Sequence, residues 1–227
     1  ISKNAALKTL SVTNSPIAEI DLSSNTALEK LYLSSNKIAA LDLLKNTALT
    51  YVDIRGNGIK GKAMTTLVSN LPTAESGQFI VARYTGETNV INTTQVASAK
   101  AKVWSVKYTD VWSDLYDYEG VATKDDIEIN ETNFPDENLR TYLLSQDYGE
   151  DFKIDDAEIY DITTLNLSAK KVADLKGIEN FTELLELNVS SNSDLTAVDV
   201  SALTKLTLLN INYNSKKIGR ASCRERV

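Results

Sequence analysis

Five residues between Asp147 and Glu158 carry oxygen atoms in the order that a calcium loop would use. With Asp147 as position one of twelve, Asp151 stands at five, Lys153 at seven, Ile154 at eight, Asp155 at nine and Glu158 at twelve. Calcium takes about six to eight oxygens, and this register offers four carboxylates plus the main-chain carbonyl of Lys153. Gly149 replaces the ligand at position three. Phe152 stands at position six, where a glycine normally supplies positive φ, so a loop that simply folds as helix, turn and helix is the alternative reading. The setting is acidic. From Asp114 to Asp161 there are sixteen Asp and Glu against three Lys and Arg, a net −13 that exceeds the −7 of the whole chain.

Other chemistries are poorly supplied. Histidine is absent, which removes the usual general base near neutral pH, every Ser-His-Asp or Cys-His arrangement and the commonest zinc ligand. The one cysteine is Cys223, so neither a disulfide framework nor a cysteine metal site is available. Carboxylate pairs suit glycoside hydrolysis, but the acidic residues are spread along a segment without a recognisable cleft. Arg55-Gly56-Asn57-Gly58 lacks the Lys-Ser/Thr that would follow in a phosphate loop. Net negative charge disfavours nucleic acid. No apolar run approaches the length needed to span a membrane. The sequence therefore points away from an enzyme.

The elements that must carry any site are repeats. AALKTLSVTNSPIAEIDLSSN, TALEKLYLSSNKIAALDLLKN and TALTYVDIRGNGIKG align so that Leu7, Leu28 and Leu49 recur at an interval of 21, as do Leu10, Leu31 and Val52, Val12, Leu33 and Ile54, and Ile17, Ile38 and Ile59. A fixed period of this size means a solenoid, whose extended surface suits binding. Leu31 and Leu33 alternate inward from a short strand, while Lys30, Tyr32 and Ser34 point outward. Asn36 and Asn57 are placed to satisfy turn backbone groups with their amides. The first repeat has Ser15 there, with Asn14 one place early, so that rung is weaker. The strand motif, Leu28, Leu31, Leu33, Asn36 and Leu49, Val52, Ile54, Asn57, resembles the leucine-rich repeat.

The same grammar returns in Leu184, Leu187, Val189, Asn192 and Leu206, Leu209, Ile211, Asn214, now at an interval of 22, after a degenerate start at Leu165 and Leu167. The extra residue falls at Asn192-Ser193-Asp194-Leu195, a turn insertion away from the strands. Between the arrays, the text predicts a helix from Ala63 to Leu71, a strand from Gln78 to Arg83, a helix from Thr93 to Lys102 and a strand from Lys102 to Tyr108. Such an α/β plug covers strand edges and core leucines at a solenoid's end. Trp104, Trp112, Tyr116 and Tyr118 follow, either as core and rim of this cap or as a sugar-stacking platform.

AMTTLVSNLPTAESGQFIVARYTGETNVINTTQVASAKAKVWSV is similar to the terminal cap of gut-bacterial (Bacteroidetes-type) surface repeat proteins. NFPDENLRTYLLSQDYGEDFKIDDAEI resembles the EF-hand-like starting cap of such arrays, with Pro135 and acidic residues in the first turn of a helix. The resemblance implies an α/β fold of two tandem leucine-rich repeat solenoids. Their expected segments are the end of an array at 1–61, an α/β cap at 62–120, an acidic link with starting cap at 121–162, and a new array at 163–217. Gly120 to Asn130 is the expected boundary, with Ile127 and Ile129 alternating as in a short strand. Ile218 to Val227, IGRASCRERV, is what the codons of a common sequencing adaptor encode in frame, so 218–227 is set aside from fold reasoning. The remaining chain has 21 basic against 30 acidic residues, and the N-terminus opens inside a repeat, so a fragment of a longer chain is expected.

Outward strand positions form columns on the concave face. In the first array they are Thr9, Lys30, Tyr51, then Ser11, Tyr32, Asp53, then Thr13, Ser34, Arg55. Lys30, Tyr32, Tyr51, Asp53 and Arg55 are the mixture that makes interface anchors, and are the candidate ligand-binding set. Any single member is better read as an ordinary solvated sheet position; the column as a unit is the binding expectation. The second array presents Thr164, Asn166, Ser168, Glu186, Asn188, Ser190, Leu208, Asn210 and Asn212, a blander face. The resemblance implies a monomeric, non-enzymatic module of a secreted or cell-surface bacterial protein that binds a protein or glycan, with no cofactor unless calcium occupies the acidic loop. The alternative is a spacer holding another domain away from the cell.

Overall fold

The computed structural model describes residues 1–215; the adaptor-like segment lies outside them. The chain divides into two compact units, Ile1–Thr123 and Lys124–Val227. The fold is mixed α/β with parallel strands and few helices, compatible with a leucine-rich-repeat-like fold.

The first unit contains a six-stranded sheet, β1 (Thr9–Ser11), β2 (Lys30–Tyr32), β3 (Tyr51–Asp53), β4 (Gly77–Arg83), β5 (Trp104–Thr109) and β6 (Leu115–Asp117), in that order. All neighbours are parallel except β5 and β6. Leu10, Leu31, Val52 and Phe79 lie side by side in register. The last three are fully buried, each stabilising by about 1.5–3 kcal/mol. Helix α1 (Gly61–Asn70) sends Met64, Leu67 and Val68 into the same core. It ends because the residue before Pro72 is pushed out of the helical region, and Leu71 is extended. Helix α2 (Thr93–Ala101) starts at a capping box in which Asn92 and Gln95 satisfy each other's backbone N–H. Both helices and both cap strands differ by one or two residues from their expected bounds. Gly77 is required by packing. A Cβ there would lie 2.5 Å from the Trp104 indole, whose Nε1 donates to the Pro72 carbonyl at 2.6 Å.

In the second unit a hairpin-like pair, β7 (Ile127–Glu128) and β8 (Lys153–Ile154), flanks helix α3 (Glu137–Leu144). Helix α4 (Asp156–Asp161) leads into the parallel strands β9 (Thr164–Asn166), β10 (Glu186–Asn188) and β11 (Leu208–Asn210). Pro135 is not in the first turn of α3 as expected, because Asp136 takes the N-cap and accepts from Leu139 N at 2.8 Å. The other Asp136 oxygen accepts from Ala173 and Asp174 backbone N–H groups, tying the cap to the first repeat turn. Phe134 stacks on Phe181 with centroids 6.1 Å apart.

Asparagines bind successive turns together. Asn57 Nδ2 donates to Leu33 and Ile54 carbonyls while its Oδ1 accepts from Ile38 N. Asn192 repeats this with Leu167, Val189 and Val172. Asn89, 32 residues after Asn57, does the same for β4 and was not legible as a rung because α1 intervenes. The second rung is incomplete where it faces the weak first one: Asn36 Oδ1 is buried without a partner. The residue before each rung other than Asn89 is left-handed, with φ of 52° at Asn14, 59° at Ser35, 65° at Gly56, 56° at Ala169, 59° at Ser191 and 59° at Tyr213. Only Gly56 adopts this without a side-chain penalty.

Candidate functional site

The outer face of the first sheet, opposite the core, carries the expected column residues. Pairing aligns Thr9, Lys30, Tyr51 and Gln78, and beside them Ser11, Tyr32, Asp53 and Ile80. Rings of Tyr32 and Tyr51 meet at 4.7 Å between centroids, tilted by 36°, a geometry in which both retain half-exposed faces. Such contacts stabilise by about 0.5–1.5 kcal/mol beyond burial. Partial burial first, then Asp53 and Tyr32, raises the Tyr51 phenol above its ordinary range. Lys30 remains exposed at the edge of the pair.

Asp53 has a different role from the one its column position suggests. It is 2% exposed, and its oxygens accept from Arg55 Nε at 2.9 Å and Nη2 at 2.7 Å. Arg55 in turn donates through Nη1 to Thr109 Oγ1 at 2.8 Å. The carboxylate therefore fixes the guanidinium and offers nothing outward. This hydrogen bond to Asp53 is the main reason the Arg55 pKa is raised. Beyond Asp53 the face is covered: Ile80 is 1% exposed although it stands outside the core cluster, between Asp53 and Lys107 in register. Lys107 pairs with Asp117 on β6 at 2.8 Å.

Arg55 also lines an open depression near the C-terminal ends of the strands, together with Ser34, Tyr84, Asp110 and Val111. Sequence reasoning singled out Ser34 and Arg55 but not the rest. The four aromatics that follow the cap helix separate. Trp104 is 1% exposed and Tyr118 packs on the core, whereas Trp112 is 82% and Tyr116 46% exposed. The signal that separates them is the turn between β5 and β6: Asp110 Oδ1 accepts from Trp112 N and Asp114 N, both at 2.9 Å, which holds Val111 and Trp112 out from the sheet.

In the second unit the outer face is an amide and hydroxyl ladder. Asn166, Asn188 and Asn210 are aligned, and each turns its Oδ1 back to the N–H two residues on. Ser168 and Ser190 hydroxyls are 2.9 Å apart.

The acidic loop does not gather its carboxylates. Asp147 accepts from Tyr148 N at 3.0 Å and Asp151 from Lys153 N at 3.3 Å. Asp155 and Glu158 form the capping box of α4. The Lys153 ammonium pairs with Asp126. Among the described residues no three acidic, histidine or cysteine side chains are grouped to hold a metal ion. Phe152 does adopt the positive φ of position six, at 66°, and Ile154 pairs with Ile127. Loop shape and ligand geometry are thus separable.

No family model and no curated protein matches the chain. Among solved structures it is similar to a functional domain of InlJ from Listeria monocytogenes, described as including a cysteine ladder, at 19% identity and a TM-score of 0.32. The match covers 95% of this chain and 55% of that one. Among the described residues no helix is long and apolar enough to cross a membrane.

Proposed function

We propose that the first unit is a non-enzymatic recognition module of a leucine-rich repeat array, holding a protein or glycan ligand on the outer face of its sheet through Lys30, Tyr32, Tyr51 and Arg55. The observation that carries this is the Tyr32–Tyr51 pair, which leaves two adjoining aromatic faces half exposed beside a guanidinium already fixed by Asp53. Rigid aromatics lose little conformational freedom on binding, and a preordered arginine adds a directed donor. The lack of histidine supports a binding role over catalysis. The repeat resemblance supports placement at a bacterial surface or in secretion, the four-segment arrangement of 1–217, and two tandem arrays.

The test is capture on glycan and ectodomain arrays by the full chain and by a Lys30→Ala/Tyr32→Ala/Tyr51→Ala variant. Arg55 is left intact because its removal would strand the buried Asp53 charge. Loss of the captured ligand, with circular dichroism unchanged, is the expected result. Equal capture by both proteins would instead favour the spacer reading.

A further inference from the structure

The geometry points to a second, separate binding site in the first unit: the depression beside Tyr84 and Asp110, which takes the end of a neutral saccharide. It meets the tyrosine pair only through Arg55, and it does not depend on that pair binding anything.

Three features fit a sugar. The first is an aromatic face held out by its backbone. Tyr84 N donates to Thr109 O at 2.8 Å, yet its side chain is 67% exposed and lines the depression. An exposed tyrosine ring offers a flat apolar surface to the C–H face of a pyranose.

The second is a set of uncommitted hydroxyls. Ser34, Ser35, Thr85 and Ser113 all line the depression, and their hydroxyls have no hydrogen-bond partner among the described residues. Each can donate and accept, which suits vicinal sugar hydroxyls that also do both.

The third is a half-used carboxylate. Asp110 spends Oδ1 on the backbone of its own turn. Its Oδ2 has only a 3.5 Å contact from the Tyr116 hydroxyl, too long to count as a strong bond. An ionised oxygen fixed by its partner atom is a strong acceptor for sugar O–H donors. Charge argues for a neutral ligand, because Arg55 is already paired with Asp53 and Arg83, spent on the Gly86 carbonyl at 2.8 Å, balances Asp110 in the lining, so no net positive charge is offered to an acidic sugar. The volume, about 250 Å3, holds one or two sugar rings and no protein segment of interface size.

The experiment compares the full chain with a Tyr84→Ala/Asp110→Asn variant on an array of neutral and sialylated glycans, followed by calorimetric titration of the strongest neutral binder. Asn at position 110 keeps the acceptor that clamps the turn and replaces only the outward oxygen. The expected result is saturable binding of a neutral glycan that weakens about a hundredfold in the double variant, from the lost face and the lost charged acceptor. Protection of Trp112, next to the lining residues Val111 and Ser113, from acrylamide quenching on titration gives a second readout. The Lys30→Ala/Tyr32→Ala/Tyr51→Ala protein should bind the same glycan unchanged, which separates this site from the outer-face reading. Retention of no neutral glycan above the level of the double variant, or equal binding by both proteins, would overturn it.

Discussion

Three places before the first leucine of each repeat, the first unit has Asn25 and Asn46 and the second has Phe181 and Leu203. All four are buried, so the same position joins consecutive turns in two ways. Asn46 Nδ2 donates to Leu22 and Asn25 carbonyls, and Asn25 Nδ2 to Ile1 and Asn4 carbonyls. The amide gives direction, at the cost of two buried Oδ1 atoms with no protein partner. Phe181 instead stacks on Phe134, and Leu203 joins the core. At the strand ends, by contrast, both units use asparagine, because only an amide can donate to two carbonyls of adjacent turns while accepting from an N–H.

That contrast is broken most forcefully at the shared rungs. Asn57→Leu and Asn192→Leu should each cost about 3–5 kcal/mol, since each strands backbone groups of two turns in the core. Hydrogen exchange read separately at the strand amides of each unit should show a loss confined to the unit mutated. A loss well below 1 kcal/mol would mean that the ladder is dispensable. Next in size is Gly77→Ala, which drives a methyl into Trp104 and should cost about 1–3 kcal/mol. Both tryptophans lie in the first unit, so their fluorescence would report this melting while the second unit keeps its exchange protection.

Asn46→Leu imports the second unit's solution into the first. Leu22 and Asn25 carbonyls keep Asn25 and Leu28 N–H as partners, and the orphan Oδ1 disappears, so a cost near 1 kcal/mol is expected, well below that at Asn57. Equal costs at the two positions, by urea denaturation, would erase the distinction.

A pH test sets Tyr51 against Tyr148. Burial is the first cause raising both phenols, with Asp53 assisting at Tyr51 and Tyr142 at Tyr148. A folded pKa above the unfolded value of about 10 gives stability that is complete below about pH 10 and lost as pH rises through the folded value. The Tyr148 hydroxyl is buried without a partner, so Tyr148→Phe should gain up to about 1 kcal/mol at neutral pH and flatten the alkaline decline. Unchanged alkaline sensitivity would place its source elsewhere. The smallest effect is expected at Ala169→Gly, where relief of left-handed strain is offset by unfolded-chain entropy, leaving about 0.5 kcal/mol of gain in the melting profile.

How much was legible differs by residue. The 21-residue interval of Leu10, Leu31 and Val52 is also their pairing register, since one repeat is one turn and identical positions stack. Asn89 was missed because its interval is broken by a helix. The Asn4, Asn25 and Asn46 series does keep the interval and was readable, but its amides lie outside the leucine template. At the candidate site the sequence supplied the neighbourhood of Tyr32 and Tyr51, which are diagonal neighbours on adjoining strands. It misassigned Asp53, because outward strand direction says nothing about an arginine two residues later folding back over the carboxylate.

By itself, the sequence determined which residues point inward, where the strands fall and which chemistries lack their residues. Those follow from period and composition, which are local. Only the tertiary structure decided which polar groups remain unspent: Asp53 is consumed by Arg55, Glu158 by a helix cap, while Tyr84 and one oxygen of Asp110 are left free. Hydrogen-bond capacity is shared among neighbours in space, and tyrosine or aspartate becomes a recognition group only after the fold has allotted its other atoms.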